Sequence, residues 1–317
     1  MSGSPLRSAT SSTCDRTVRF VTVLTIATRG SALARWQSDH VAGILTRSGV
    51  VSEVRILEIS TEGDRRRDVP LSEIGGKGVF VKEVQAAVID GRADLAVHSA
   101  KDLPAVTPDE LVIGGVPERA DPRDGLVGAP LAEIPEGGTI ATGSGRRAVQ
   151  LLEARPDLRI VDLRGNMDTR IAKAAEHDAV VVAVAALTRL GLEDRLAEVL
   201  EPSVMLPQVG QGTLAIECRA ADERTRAALR VLDHPPSRSR LVAERAFLVE
   251  LGGDCDLPAG AFAEAGIDGL LRVRGLLADG PDVRDSTIHR GELTGTDPVE
   301  LGTEVARLVA AGSRGSG

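Results

Sequence analysis

A chain of 317 residues with 42 % hydrophobic and 26 % charged side chains reads as a globular protein too long for one ordinary core, so two or three domains are expected. No run of about 18 apolar residues occurs, which excludes a membrane-spanning helix; a net charge of −8, with one Trp and no Tyr, disfavours nucleic acid as a partner and leaves no stacking platform for bases. Cys14, Cys218 and Cys255, odd in number and widely spaced, argue against a disulfide framework and fit a reducing cytoplasm.

Residues 1–20 are rich in Ser and Thr, lack the apolar stretch of a signal peptide and read as a disordered tail. Val21 to Thr28 alternates as a strand. Ser31 then caps a helix carrying Leu33, Trp36, His40, Val41 and Ile44, stopped at Gly49. Glu53 to Ser60 is a second strand. After the arginine-rich loop 65–67, Phe80, Val84 and Val88 share a helix face closed by Gly91, and Ala93 to Ser99 is a third strand. This β-α-β-α-β order predicts a mostly parallel sheet. Pro104, Pro108, Pro117 and Pro122 mark a boundary or hinge near 117–122. The pattern then restarts: strands at 139–142, 158–163 and 179–184, helices at 147–154 and 168–175. Pro202 and Pro207 mark a second crossing, after which Thr213 to Cys218 is a strand that returns to the first lobe. From about 235 the character changes: a helix capped by Ser237, strands at 261–264, 270–277 and 286–292, and a last helix over 298–311. The expected architecture is two doubly wound α/β lobes around a cleft, of the kind found in periplasmic binding proteins, plus a small α+β domain. The boundaries are 21–117 with 207–230, 118–206, and 231–312.

Only Lys77, Lys82, Lys101 and Lys173 are lysines; every other basic side chain is Arg. A GC-rich genome explains that bias, so only particular positions inform. Arg146 and Arg147 follow a predicted strand, with Thr142 and Ser144 in the same strand-to-helix turn. Hydroxyls, free backbone N–H groups and paired guanidiniums there favour an anion. Cys218 alternates inside a strand as a small hydrophobe, whereas Cys255 lies in a Gly-rich loop, the setting of a functional thiol. On pattern alone, Asp102 before Pro104 reads as a loop cap. The segment GGKG lacks the spacing of a phosphate-binding loop, and the five histidines form no metal-ligand spacing; no metal is expected.

Eight segments then occur in one order: ATRGSALARWQS (27–38), GGKGVFVKE (75–83), AVHSAKDLP (96–104), ERADPRD (118–124), TGSGRR (142–147), LRGNMDTR (163–170), LPQVGQGTLAIECR (206–219) and GGDCDLPAG (252–260). Each resembles the corresponding segment of the porphobilinogen deaminase family, over roughly residues 22 to 310. The resemblance implies a cytoplasmic, monomeric transferase of haem and corrin biosynthesis. It would condense four porphobilinogen molecules head to tail, with loss of ammonia, to hydroxymethylbilane, which passes to uroporphyrinogen-III synthase. It implies one covalent dipyrromethane cofactor per chain, held as a thioether by Cys255, and Asp102 as the catalytic residue. Lys101, Arg146, Arg147, Thr142, Ser144, Arg164 and Lys77 would hold the cofactor; Arg29, Ser31, Arg170, Arg189, Ser99 and Phe80 would bind substrate, Phe80 reading equally well as core. Each pyrrole ring carries an acetate and a propionate, so a growing chain needs fixed cations, and the planar fork of Arg matches a carboxylate.

Three positions depart from the family pattern: Thr25 where a basic residue is usual, Gly145 where Leu precedes the double arginine, and Asp254 beside the attachment cysteine, which with Asp256 disfavours a thiolate. Two β/α lobes with two crossings also describe solute-binding proteins and ligand-sensing regulator domains, which need neither Asp102 nor Cys255.

Overall fold

In the computed structural model the chain is described over residues 21–61, 81–253, 257–266, 269–280 and 282–314. The expected loop at 65–67, the tail 1–20, Cys14, Lys77, Phe80 and residues 254–256, with Cys255, lie outside the described residues.

The first lobe is built on β1 (Val21–Arg29), β2 (Val51–Ile59) and β3 (Leu95–Ser99), with α1 (Ala32–Arg47) and α2 (Lys82–Ile89) between them. Ser31 caps α1 as expected, its hydroxyl accepting from the Ala34 N–H at 3.3 Å. The second lobe repeats the scheme with β6 (Thr139–Ala141), β7 (Arg159–Val161) and β8 (Ala179–Ala183), joined by α3 (Gly145–Ala154) and α4 (Met167–Ala172). The run Ala179–Ala183 is buried throughout, as a central strand covered on both faces must be.

Each sheet is completed by one strand that arrives across the hinge and by an edge strand of its own lobe, so the sheets are mixed rather than mostly parallel. Lobe one gains β4 (Leu111–Gly115) and β10 (Leu214–Arg219); lobe two gains β5 (Asp124–Gly128) and β9 (Leu196–Leu200). The orders are β2-β1-β3-β10-β4 and β7-β6-β8-β5-β9. β10 runs antiparallel to β3, with Ile216 opposite Val97, and β5 antiparallel to β8, with Leu126 opposite Val181. Each crossing therefore leaves an edge strand of one sheet and enters the fourth position of the other. Sequence pattern misses β4, β5 and β9 because they are short and flanked by prolines or charges. α5 (Val184–Leu190) follows β8, and α6 (Glu223–Leu229) follows β10.

Crossing two packs tightly. Gly210 and Gly212 have φ of +70° and +83°; a Cβ on Gly210 would stand 3.0 Å from the Ala100 carbonyl carbon, and one on Gly212 2.5 Å from the Ala120 oxygen. Only glycine lets this segment pass between the turn after β3 and crossing one.

The third domain is a meander of β11 (Ala259–Ala265), β12 (Leu271–Asp279) and β13 (Thr287–Gly295), covered on one face by α7 (Pro235–Glu250) and α8 (Pro298–Arg314). Phe247, Val273 and Val305 form its fully buried centre. Its other face sets Phe262 and Leu276 against Leu206 of crossing two. α7 begins at Pro235 rather than at a Ser237 cap: Pro235 and Pro236 occupy the first helical positions, where their missing N–H groups cost nothing. Buried Ser237 instead accepts the Arg119 N–H at 2.9 Å. Among the described residues no helix is long and apolar enough to cross a membrane.

Candidate functional site

β3 ends at Ser99 and the chain tightens into the 3-10 turn Ala100–Asp102. Strand ends of open α/β sheets are where such folds place ligands. Asp102 lies in the wall of a crevice with Arg29, Ser31, Val81, His98 and Ser99. Ser99 accepts from Gln37 Nε2 at 2.8 Å, so its hydroxyl is already oriented. Beside Asp102, Lys101 donates to Gln211 Oε1 at 3.2 Å. Burial and then the nearby Arg147 bring Lys101 down to about 7, while Asp102 and Asp124 pull the other way.

Arg146 and Arg147 open α3, as the sequence places them, but neither is a surface group: they are 3 % and 6 % exposed. Both converge on a carboxylate that sequence reasoning passed over. Asp124 is fully buried at the start of β5. It accepts from Arg146 Nη2 at 2.8 Å, from Arg147 Nη2 at 2.7 Å and from Gln211 Nε2 at 2.9 Å. Burial alone would raise its pKa; the two guanidiniums outweigh this and hold the carboxyl well below the usual range. Gln211 thus joins the turn carrying Lys101 in lobe one to the arginine pair of lobe two. The signal in the sequence was charge balance: two adjacent buried guanidiniums require a nearby acid.

The remaining predicted residues divide. Arg170 is half-buried, its Nε donating to the Gly165 carbonyl at 2.9 Å, and its pKa is lowered first by burial and next by Arg147, with Asp102 opposing. It belongs to the cluster around Asp102. Arg189 is buried, donates to the Gly212 carbonyl at 2.7 Å and lies 5.9 Å from the centre of the Trp36 ring, linking α5 to α1 and to crossing two. Burial lowers it to about 10. Thr142 is buried and accepts the Ser144 N–H at 3.2 Å; Ser144 is the N-terminal cap position of α3 without a side-chain cap bond. Arg164 stands apart, exposed and paired with Asp162 at 2.9 Å. Thr25, the departure on β1, donates its backbone N–H to Asp94 at 2.7 Å. Cys218 is fully buried and burial pushes its thiol up to about 11, the inert behaviour expected of it.

A second knot ties the third domain to both crossings. Arg119 pairs with Glu244 of α7 at 2.6 Å and donates to the Gln211 carbonyl; Glu244 also accepts the N–H groups of Gly210 and Ala263. The segment holding Cys255 leaves α7 and reaches β11 between two described flanks. A Cβ on Gly253 would stand 3.1 Å from Ala105, just past the Asp102 turn, and one on Gly145 at the start of α3 would stand 3.5 Å from Pro258. Buried Arg146 Nε has no hydrogen-bond partner among the described residues, a donor left over beside this second flank. An unpaired buried N–H is costly unless an acceptor completes it, so the residues present fit a carboxylate-bearing group next to α3. Among the described residues no group of His, Cys, Asp and Glu could hold a metal ion.

The family model described as "Porphobilinogen deaminase, dipyromethane cofactor binding domain" matches residues 24–227, and that described as "Porphobilinogen deaminase, C-terminal domain" matches residues 239–311. Curated relatives named porphobilinogen deaminase include one from Brevibacillus brevis, 44 % identical over 92 % of this chain and 94 % of its own length. Another, from Syntrophus aciditrophicus, is 46 % identical over 91 % and 96 %, and a third, from Acidothermus cellulolyticus, 45 % identical over 94 % and 92 %. Among solved structures, protein PG110 from Staphylococcus aureus gives a TM-score of 0.40 at 13 % identity, covering 69 % of this chain and 88 % of that one. A marine-metagenome solute-binding protein specific for aromatic acid ligands gives 0.36 at 11 %, covering 68 % and 75 %.

Proposed function

The chain belongs to the porphobilinogen deaminase family, and from that premise we propose how its own residues carry out the condensation of four porphobilinogen molecules to hydroxymethylbilane in tetrapyrrole biosynthesis. The family's cofactor is a dipyrromethane. When bound, it supplies a pyrrole with a free α-carbon as the nucleophile. We assign its thioether anchor to Cys255. The supporting observation is the pair of flanks around the Cys255 segment, Gly253 against Ala105 and Pro258 against Gly145. Two or three residues span at most about 7–10 Å, so a thiol between those flanks stays within reach of both the Asp102 turn and the arginine pair.

Arg146 and Arg147, with Lys101, Thr142 and Ser144, receive cofactor carboxylates at the start of α3, Arg146 Nε being a donor with no partner among the described residues. Arg164 and Lys77 extend that set. Arg29, Ser31 and Ser99 line the crevice that takes porphobilinogen, with Arg170, Arg189 and Phe80 serving later rings of the product. Asp102 acts at the reacting centre. Its carboxyl gives a proton to the departing amine. Once ionised, its oxygen lies against the pyrrole N–H, where positive charge develops as ammonia leaves, and it then accepts the proton released when the new carbon–carbon bond restores the aromatic ring. Lys101 and Arg170 set positive charge beside that carboxyl, which favours it as the partner of the developing pyrrole cation. The reading includes a cytoplasmic, monomeric transferase that hands its product to uroporphyrinogen-III synthase, with lobes at 21–117 with 207–230 and 118–206, and the attachment domain at 231–312.

Intact-protein mass spectrometry tests the anchor. The purified wild type should be heavier than its sequence by one dipyrromethane and give the colour reaction of pyrroles with acidic aldehyde reagent. Cys255→Ser should fold, lack both signals and be inactive. Active wild type at its bare sequence mass refutes covalent attachment, and an excess retained in Cys255→Ser moves the anchor to Cys14 or Cys218.

A further inference from the structure

Crossing two carries three consecutive residues that each hold a charged side chain from another part of the molecule. The Gly210 N–H goes to Glu244 of the third domain, and the Gly212 carbonyl takes Arg189 of lobe two. Between them, Gln211 is fully buried. Its Oε1 accepts from Lys101 Nζ at 3.2 Å. Its Nε2 donates to the Pro122 carbonyl at 2.8 Å and to Asp124 Oδ1 at 2.9 Å. Both amide protons are thus committed. Turning the amide over would set its oxygen against a carbonyl and a carboxylate and its N–H groups against an amine, so one orientation is fixed. The backbone beneath it is fixed too. The Gln211 N–H donates to the Gln208 carbonyl at 2.9 Å, and the Gln211 carbonyl accepts from Arg119 Nε at 2.9 Å. Gln208 Nε2 in turn donates to the Lys101 carbonyl at 3.2 Å.

The amide is a neutral divider between groups of opposite charge. The charges that face Lys101 are Asp102 on its own turn, Asp124 on β5, Arg147 on α3 and Arg170 on α4. Two of these are acids, yet the described partner of the Lys101 amine is the Gln211 amide. In direct contact with Asp124, Lys101 would be neutralised and would share that carboxylate with Arg146 and Arg147. Held off by the amide, Lys101 keeps its other N–H donors for a ligand, and Asp124 stays with the arginine pair. We propose that Gln211 is a positioning residue: it spaces Lys101 of lobe one from Asp124 of lobe two, so that Lys101 and the arginine pair meet one dipyrromethane together. This rests on reading Lys101, Arg146 and Arg147 as cofactor contacts.

The full-length chain, made in cells that contain no porphobilinogen, is given porphobilinogen, and its intact mass follows the gain of the dipyrromethane. Wild type that gains no mass refutes the reading of the site as a cofactor cradle, and the melting series below then decides the role of Gln211 by itself. Gln211→Met keeps the length of the side chain and removes its three hydrogen bonds. Lys101 then pairs with Asp124, and loading should slow roughly 10- to 100-fold. Lys101→Met should slow it by a similar factor, and the double variant no further, because Gln211 acts through Lys101. The second readout is the melting temperature of the unloaded chain between about pH 7 and pH 10. Lys101, at about 7 folded and about 10.4 unfolded, makes the wild type more stable as pH rises through that window. Pairing with Asp124 raises the folded value, so Gln211→Met should flatten the rise. Gln211→Asn keeps the amide and shortens its reach by one methylene. It should show both effects in weaker form, and it decides if the Met variant fails to fold. Loading within about twofold of wild type overturns the proposal. So does a double variant slowed by the product of the two single factors, or a slope equal to that of the wild type. A side chain that only packed would lower the melting temperature alike at every pH and leave the slope in place.

Discussion

Asp124→Asn isolates the buried charge cluster at the start of β5. The substitution keeps the shape of the side chain and one acceptor oxygen but strands Arg146 and Arg147, which are 3 % and 6 % exposed. Removing one partner of a buried ion pair costs about 3–5 kcal/mol. Two guanidiniums share this carboxylate at 2.8 and 2.7 Å, so the upper part of that range applies. At about 2–4 °C per kcal/mol for a chain of this size, the melting temperature should fall by roughly 8–20 °C at neutral pH. The pH dependence follows from the depressed pKa of Asp124. A carboxyl held below its unfolded value of about 3.9 contributes its stability fully above that pH and loses it as pH falls towards the folded value. The gap between wild type and variant should be widest near neutrality and shrink below about pH 4. Thermal melting of unloaded protein across that range reads both effects. Equal melting at neutral pH, or a gap that persists unchanged in acid, would refute the account of Asp124 as the counter-ion of the pair. Loading should narrow the gap, because a bound carboxylate replaces part of the lost charge.

Asp102→Asn removes the proton and the charge that the reaction needs while sparing the arginines. Its kcat should fall at least roughly 10²-fold with less change in KM, and Asp102→Glu should retain more activity than Asn; an Asn variant as fast as Glu returns Asp102 to the role of a loop cap. Lys101, lowered to about 7 in the fold against about 10.4 unfolded, binds fewer protons folded than unfolded between those values. The unloaded protein should therefore gain stability as pH rises from about 7 to about 10. Lys101→Met should flatten that slope in a melting series, and an unchanged slope would assign it to another group.

The layered α/β character, the two crossings and the returning strand were legible because apolar runs such as Ala179–Ala183 and proline clusters follow directly from burial and turn chemistry. The antiparallel half of each sheet was not. β4 and β5 are each five residues long and lie on either side of crossing one, and nothing local to them says that β4 pairs with a strand about a hundred residues on, or β5 with strands more than fifty residues on. The start of α7 was misread because Ser237 looks like a cap, while the prolines before it are equally good first-turn residues. At the site, the arginines were visible as a pair, but Asp124 and Gln211 were not. Each gains its meaning from a contact more than twenty residues away: Arg146 for Asp124, Lys101 for Gln211.

Those long-range contacts explain how a chain can keep so many cations near one crevice before any ligand arrives. Arg146 and Arg147 are given Asp124, so that buried pair carries an internal anion. Arg189 is handled differently: the Gly212 carbonyl and the face of Trp36 offer only dipoles and a quadrupole, and its pKa is lowered accordingly. A carboxylate added next to Arg146 has to share its guanidinium with Asp124, whereas one added at Arg189 meets a cation with no described acid partner. The cluster at α3 is thus built to be stable whether or not a ligand is there, as a permanently filled cofactor cradle requires. The cation on α5, lying between the lobes, gains most when an acidic chain comes within reach. That difference matches the proposed division of labour, in which α3 holds the cofactor's carboxylates and Arg189 receives rings that come and go.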